Sequence, residues 1–225
     1  MGRYGETMPD IILPGPAGRI EVRYQRQKAP NAPMALILHP HPQFGGTMNN
    51  PLVYDLFHMY HALGCTTVRF NFRGVGRSQG TFDSGVGELS DAAAVLDWMN
   101  TLYPNPSFVW VCGISFGAWI GMQLLMRRPE ITGFISIAPP ASMYDFAFLA
   151  PCPASGIMIH GSKDQVVPEA DVLKLVERLR AQKGIKIDYH RIEGANHFFD
   201  KHEQDVVDAV KEYSERRMND PNRGR

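Results

Sequence analysis

The sequence predicts an α/β fold: a mostly parallel central sheet with helices on both faces and no cap domain. Three observations carry that prediction. Short apolar runs alternate along the chain with segments of helical period. Runs such as Met34–His39 (MALILH) are apolar almost throughout, the mark of a strand covered on both faces. No convincing boundary, repeat or low-complexity tract interrupts the 225 residues, so 1–225 reads as one domain with 218–225 as a frayed tail.

Each element has its own signal. Arg19–Tyr24 alternates and reads as an early edge strand. Met34–His39 is the first fully buried strand, followed by a Pro- and Gly-rich loop over His39–Thr47. Pro51–Leu63 reads as a helix opened by proline and ended by Gly64. Cys65–Phe72 (CTTVRFNF) is β-branched and aromatic, hence a strand. A loop with five glycines, Arg73–Gly87, leads to a helix over Glu88–Tyr103. Leu89, Ala92, Ala93, Leu96 and Met99 share one face of that helix, and Pro104 stops it.

The second half repeats the alternation. Ser107–Cys112 reads as a strand and Phe116–Arg127 as a helix broken before Pro129. Gly133–Ile137 is a strand, and Ala138–Ala154 is a loop punctuated by four prolines. Gly156–His160, an amphipathic helix over Pro168–Gln182, a strand over Lys186–Ile192 and a closing helix over His202–Arg217 complete the pattern. Right-handed crossovers between such strands wind helices onto both sides of the sheet.

Composition excludes several classes. Lys plus Arg and Asp plus Glu stand at 23 each, so net charge draws neither nucleic acid nor an anionic membrane. Arg216, Arg217, Arg223 and Arg225 cluster at the end and fit a frayed terminus better than a binding patch. The three cysteines, Cys65, Cys112 and Cys152, cannot all pair; Cys65 and Cys112, at apolar strand-like positions, read as reduced, buried thiols of a cytoplasmic protein. No basic-then-apolar leader opens the chain, and the Met1-Gly2 start has Glu6 where a myristoylation signal needs Ser or Thr. Phe108–Met126 approaches the length of a membrane span, but Gly113, Ser115, Gly117 and Gln123 break its apolar run.

That run contains Gly113-Ile114-Ser115-Phe116-Gly117, a G-x-S-x-G between a predicted strand and a predicted helix. A serine on so tight a turn sits at unfavourable backbone angles, and its neighbours two residues away must lack side chains. The turn would lift the Ser115 hydroxyl clear of the sheet and aim the Phe116 N–H at a developing oxyanion. The pentapeptide alone could be ordinary packing of small residues. Its partners give it weight.

Those partners are a carboxylate and then a histidine, in that chain order. Asp164 follows the strand Ile157–His160 at the start of a loop, where it could orient an imidazole. The rivals Asp188 and Glu193 lie on or after the wrong strand. Among eight histidines, His197 alone combines loop placement with a position after Asp164; His190 falls in a strand and His202 at a helix start. The loop His39–Gly46 (HPHPQFGG) would supply the second oxyanion N–H. Pro40 and Pro42 have none to give, so His41 stands first by position and Gln43 second. His-x-His could chelate zinc, but no third ligand of fitting spacing accompanies it, so no metal is expected.

Five segments together resemble the α/β-hydrolase superfamily, and within it the small lid-less hydrolases related to dienelactone hydrolase. They are HPHPQFGG at 39–46, FNFRGVGRSQG at 70–80, GISFG at 113–117, HGSKDQVVP at 160–168 and GANHFF at 194–199. The resemblance implies ester hydrolysis through an acyl-enzyme, without cofactor, on a small-molecule substrate. Dienelactone hydrolases proper use cysteine as nucleophile, so Ser115 points instead to a general carboxylesterase. A haloalkane dehalogenase would need a carboxylate where Ser115 stands.

Thioesterase, peptidase and acyltransferase activities share the same three residues and stay open at this point. So does a non-catalytic binding protein on the same fold, although degenerate members usually lose one of the three. The segment Pro139–Pro153 is too short for a cap, which predicts an open site for short acyl chains. Phe44, Met143, Tyr144 and Phe198 are the candidate pocket residues. The apolar groups Met143, Tyr144, Phe146, Phe148 and Leu149 could alternatively form an interface in a homo-oligomer. Arg73 is expected to serve the fold by bonding nearby carbonyls or carboxylates, with Gly74 and Gly76 permitting the bend.

Overall fold

The computed structural model describes residues 10–220. Eight strands are found among them: β1 (Asp10–Gly15), β2 (Gly18–Gln25), β3 (Met34–Leu38), β4 (Thr66–Phe70), β5 (Val109–Ile114), β6 (Gly133–Ile137), β7 (Gly156–Gly161) and β8 (Ile187–Ile192). They form one sheet in the order β1-β2-β4-β3-β5-β6-β7-β8. The pairs β1–β2 and β2–β4 are antiparallel and the remaining pairs parallel.

The helices sort by face. α1 (Pro51–Ala62) and α5 (Glu203–Met218) pack on one side, with Phe57, Tyr60, Val206 and Val210 against Ile37, Trp110 and Ile159. α2 (Val86–Leu102), α3 (Phe116–Leu125) and α4 (Glu169–Arg180) pack on the other. Strand β5 shows how the pleat feeds both cores: Val109 and Val111 enter one, Trp110, Cys112 and Ile114 the other. Strands buried on both faces have no solvent-facing position to alternate with, which is why β3 and β5 read as continuous apolar runs.

Several expectations need correction. Arg19–Tyr24 lies in β2, which is the second strand and not an edge. The edge is β1, joined to β2 as a hairpin. Its Pro14 and Gly15 resemble loop punctuation, yet proline is tolerated on an edge strand. Helix α2 begins at Val86, two residues before Glu88. The Glu88 carboxylate reaches back to accept from the N–H groups of Asp83 (2.9 Å) and Gly85 (2.7 Å), capping the turn. On its buried face Val95 is wholly enclosed, while Leu89 and Ala93 are only partly so.

Arg216 and Arg217 belong to the last turn of α5 and not to a frayed tail. Arg216 pairs with Asp188 on β8, and Met218 packs on the core. Arg223, Arg225 and the Met1-Gly2 to Glu6 start lie outside the described residues. The apolar stretch Phe108–Met126 is β5, a turn and α3. No helix of the described residues is long and apolar enough to cross a membrane.

The sheet order reverses direction at β3: the chain steps from β3 to β4 on one side, then returns past β3 to β5 on the other. Such a switch point opens a crevice at the carboxyl ends of the strands. The segments following β3, β5, β7 and β8 all rise from that end.

Candidate active site

Ser115 links β5 to α3 at φ 52°, ψ −117°, a left-handed backbone that costs a non-glycine residue roughly 1–3 kcal/mol. Its N–H donates to the Ile137 carbonyl of β6 at 2.8 Å, which fixes the turn to the sheet. A Cβ on Gly117 would lie 2.4 Å from the Leu38 carbonyl oxygen, and one on Gly113 2.2 Å from the Gly117 carbonyl oxygen. Only glycine lets α3 come that close to the end of β3. This approach sets the residue-39–46 loop beside the serine.

The Ser115 hydroxyl is 3.0 Å from His197 Nε2, and His197 Nδ1 is 2.7 Å from Asp164 Oδ2. A carboxylate can only accept, so the imidazole proton sits on Nδ1 and Nε2 is left to accept from the serine. The Asp164 side chain is 1% exposed and its Oδ1 accepts from the N–H groups of Val166 and Val167, each at 2.8 Å. Burial pushes this carboxyl up, but the hydrogen bonds from His197, Val167 and Val166 outweigh it and hold it below the ordinary range.

The loops bearing the acid and the histidine are tied to each other. Lys163 N–H donates to the Ala195 carbonyl at 2.9 Å, and Gly194 N–H to Ser162 Oγ at 2.7 Å. A Cβ on Gly161 would strike the Ala195 carbonyl oxygen at 2.4 Å, so glycine is required there too. Beneath Asp164 lies His160, wholly buried, with Nε2 3.0 Å from the Val167 carbonyl and 3.6 Å from Asp164 Oδ2. Its Nδ1 has no acceptor, so the ring proton belongs on Nε2, where it closes the turn that carries the carboxylate.

Among the described residues, the backbone N–H groups of Phe116 and His41 donate to no protein acceptor. The N–H of Gln43 is engaged with His41 Nδ1 at 3.2 Å, which removes the second choice for the oxyanion donor. The His41 ring is enclosed by Phe44, Phe82 and Phe116 at 4.7, 4.9 and 4.8 Å between ring centres. Below it, buried His39 donates from Nδ1 to the Pro40 carbonyl (2.6 Å) and accepts at Nε2 from the Phe72 N–H (3.1 Å). Burial pushes the His39 imidazole down to about 4, against the contribution of the Pro40 bond. It is a neutral pin between the loops that follow β3 and β4.

Ser115 opens into a cavity of about 340 Å³. Phe44, Met143, Tyr144 and Phe198 line it, together with Val166, Leu52 and Asn50, and no Asp, Glu, Lys or Arg is among its lining residues. Phe146 and Leu149 are buried in the core instead, so they are unavailable to an interface between copies of the chain. Among the described residues no cluster of metal-ligating side chains exists, at His39–His41 or elsewhere. A histidine placed between a hydroxyl and a carboxylate can take the hydroxyl proton as that oxygen attacks an electrophilic carbon.

A family model of the X-Pro dipeptidyl-peptidase (S15) family matches residues 4–152, and one of the prolyl oligopeptidase family matches 139–219. The chain belongs to the α/β-hydrolases, with S15 as the matching branch. It is a serine hydrolase of that fold. A protein of unknown function from Agrobacterium tumefaciens, proposed to be an α/β hydrolase, shares 59% identity over 94% of this chain and 97% of that one, with a TM-score of 0.92. An α/β serine hydrolase without lid from Xanthomonas campestris shares 32% over 95% and 96%, with a TM-score of 0.85. An uncharacterised protein of Rickettsia prowazekii is 51% identical over 92% of this chain and 88% of its own length.

Like the Xanthomonas hydrolase, this α/β-hydrolase carries no lid: residues 138–155, between β6 and β7, hold neither helix nor strand. The supporting roles of His39 and His160 and the place of Asn50 at the cavity were not read from the sequence, which offered His39 only as half of a His-x-His pair. The two histidines had one available signal: each directly follows an apolar strand run, where a polar side chain must find partners or be expelled. Arg73 serves the fold as expected, through a bidentate pair with Asp91 at 3.0 and 2.8 Å.

Proposed function

We propose that this α/β-hydrolase cleaves small, uncharged carboxylic esters through an acyl-serine intermediate. The observation that carries the reading is the Ser115–His197–Asp164 relay, 3.0 and 2.7 Å between partners, at the floor of a cavity whose lining holds no charged Lys, Arg, Asp or Glu. His197 takes the Ser115 proton as Oγ attacks the ester carbon. The Phe116 and His41 N–H groups face the oxygen that gathers charge, and each such donor is worth about 3 kcal/mol. His197 then protonates the departing alcohol. Water repeats the sequence and frees the acid. Asp164 holds the Nδ1–H tautomer and stabilises the imidazolium throughout. A cavity of about 340 Å³ with no lid suits short acyl groups.

The S15 match favours a second reading, removal of X-Pro dipeptides from a peptide N-terminus. Such a substrate enters with an ammonium group, which is costly to desolvate without a carboxylate beside it. None lines this cavity. Labelling with a fluorophosphonate probe, wild type against Ser115→Ala, tests the nucleophile; equal labelling would remove it. Side-by-side rates on p-nitrophenyl butanoate and on X-Pro p-nitroanilides then separate the two readings, and faster anilide turnover would reverse their order.

A further inference from the structure

The cavity has two unlike walls. Met143, Tyr144, Val166 and Phe198 make one, rising from the segments after β6, β7 and β8. The other comes from the segment after β3 and includes His41 and Asn50. Asn50 caps α1: its Oδ1 accepts from the N–H groups of Leu52 (3.1 Å) and Val53 (3.4 Å). Of the two ends of an amide side chain only the oxygen can accept a helix-end N–H, so the cap itself decides which way the amide points. The Asn50 carbonyl takes the Tyr54 N–H at 3.0 Å, and Pro51 has no N–H to offer. The helix terminus is therefore closed to an anion. What the side chain can offer the cavity is Nδ2 with two protons, engaged by no acceptor among the described residues.

His41 repeats the pattern on the same wall. Its Nδ1 accepts from Gln43, so Nε2 carries the ring proton, and burial holds the imidazole below the ordinary histidine range. Both groups are neutral donors with no acceptor of their own on that side.

We propose that Asn50 Nδ2 is a specificity-determining donor that receives a neutral oxygen of the substrate, an ether, hydroxyl or carbonyl other than the one attacked. This rests on the ester reading and narrows it to oxygen-bearing esters. When substrate fills the cavity, water leaves the Asn50 amide. A purely hydrocarbon ester leaves that donor unpaired, and a site built around a donor discriminates against ligands lacking the acceptor. An anionic acceptor would have to shed its water with no cation nearby, so the neutral oxygen is preferred.

Two variants preserve the cap. Asn50→Asp keeps Oδ1 for Leu52 and Val53 and replaces NH2 with oxygen; Asn50→Ser keeps a capping oxygen and removes the reach. For each protein, kcat/KM is measured on p-nitrophenyl methoxyacetate and p-nitrophenyl butanoate, which match in shape and differ by one oxygen. A second pair, 2-methoxyethyl and butyl butanoate, probes the alcohol side. Intrinsic ester reactivity cancels when the oxygen-to-hydrocarbon ratio is compared between wild type and variant. The expected result is a ratio about tenfold higher in wild type than in both variants, in at least one pair. Unchanged Tm shows the cap intact. Equal ratios in all three proteins for both pairs overturn the proposal while leaving ester hydrolysis standing. No turnover of any of the four esters by wild type overturns the ester reading itself, and the proposal with it.

Discussion

His197 and Phe198 are neighbours in the chain and opposites in setting: one is 8% exposed, the other 64%. They mark the division between the floor of the site and its rim. On the floor each side chain of the relay has fixed partners, and the Phe116 and His41 N–H groups are left open for a substrate oxygen. Asp164 receives three hydrogen bonds, His197 makes two, and the Ser115 turn is bolted to β6. On the rim Phe44, Met143, Val166 and Phe198 stand 78, 57, 45 and 64% exposed around the same cavity. The difference teaches where precision is required. Proton transfer fails when partners drift by an ångström, whereas an apolar rim needs only to shed water.

The largest test of that division is Asp164→Asn. The amide presents an N–H where the imidazole needs an acceptor, so the wrong tautomer is favoured and kcat is expected to fall by about 10³- to 10⁴-fold. KM should change little, because the rim is untouched. Steady-state kinetics on a p-nitrophenyl ester reads both. A loss under tenfold would mean that the relay does not drive the reaction.

Next in size is the support beneath the floor. His39 stays neutral in the folded protein down to about pH 4, held there chiefly by burial, whereas in the unfolded chain it titrates near 6.5. The unfolded chain therefore takes up the proton first. Above pH 6.5 the group costs nothing; between 6.5 and about 4 stability falls, reaching a loss of about 3 kcal/mol. A His39→Gln variant cannot titrate, so its urea stability should lose about that much less than wild type between pH 7 and pH 4. Parallel losses in the two proteins would show that His39 is not a buried neutral pin.

Floor and rim residues alike could be named from the sequence, whereas the supports beneath them could not. Gly113 to Gly117, Asp164 and His197 declared themselves because each chemical demand selects a residue type at a strand end. The buried strands β3 and β5 were equally plain, since two covered faces leave no solvent-facing positions. What was not legible depended on contacts distant in sequence. Edge strand β1 is recognisable only through its pairing with β2, and the start of α2 only through the reach of Glu88 back to Gly85. Gln43 looked available as a donor because nothing in the sequence says that its N–H turns onto His41. His39 and His160 looked like strand ends because their partners, Phe72 and Val167, are fixed by the fold.

The smallest expected effect comes from the rim. Phe198 meets the His197 ring edge-on at 5.4 Å but otherwise faces solvent. In Phe198→Ala the lost surface is mostly surface that only a bound substrate would cover. Its removal should cost about 1 kcal/mol of binding, raising KM about fivefold for an ester with an apolar group at the mouth. Because His197 is held by Asp164 and Ser115 and not by this ring, kcat should stay within about twofold, as expected for uniform binding. Tm should barely move, since an exposed ring contributes little to the core. A matched fall in kcat would show instead that the ring steers the imidazole, and that floor and rim are mechanically one.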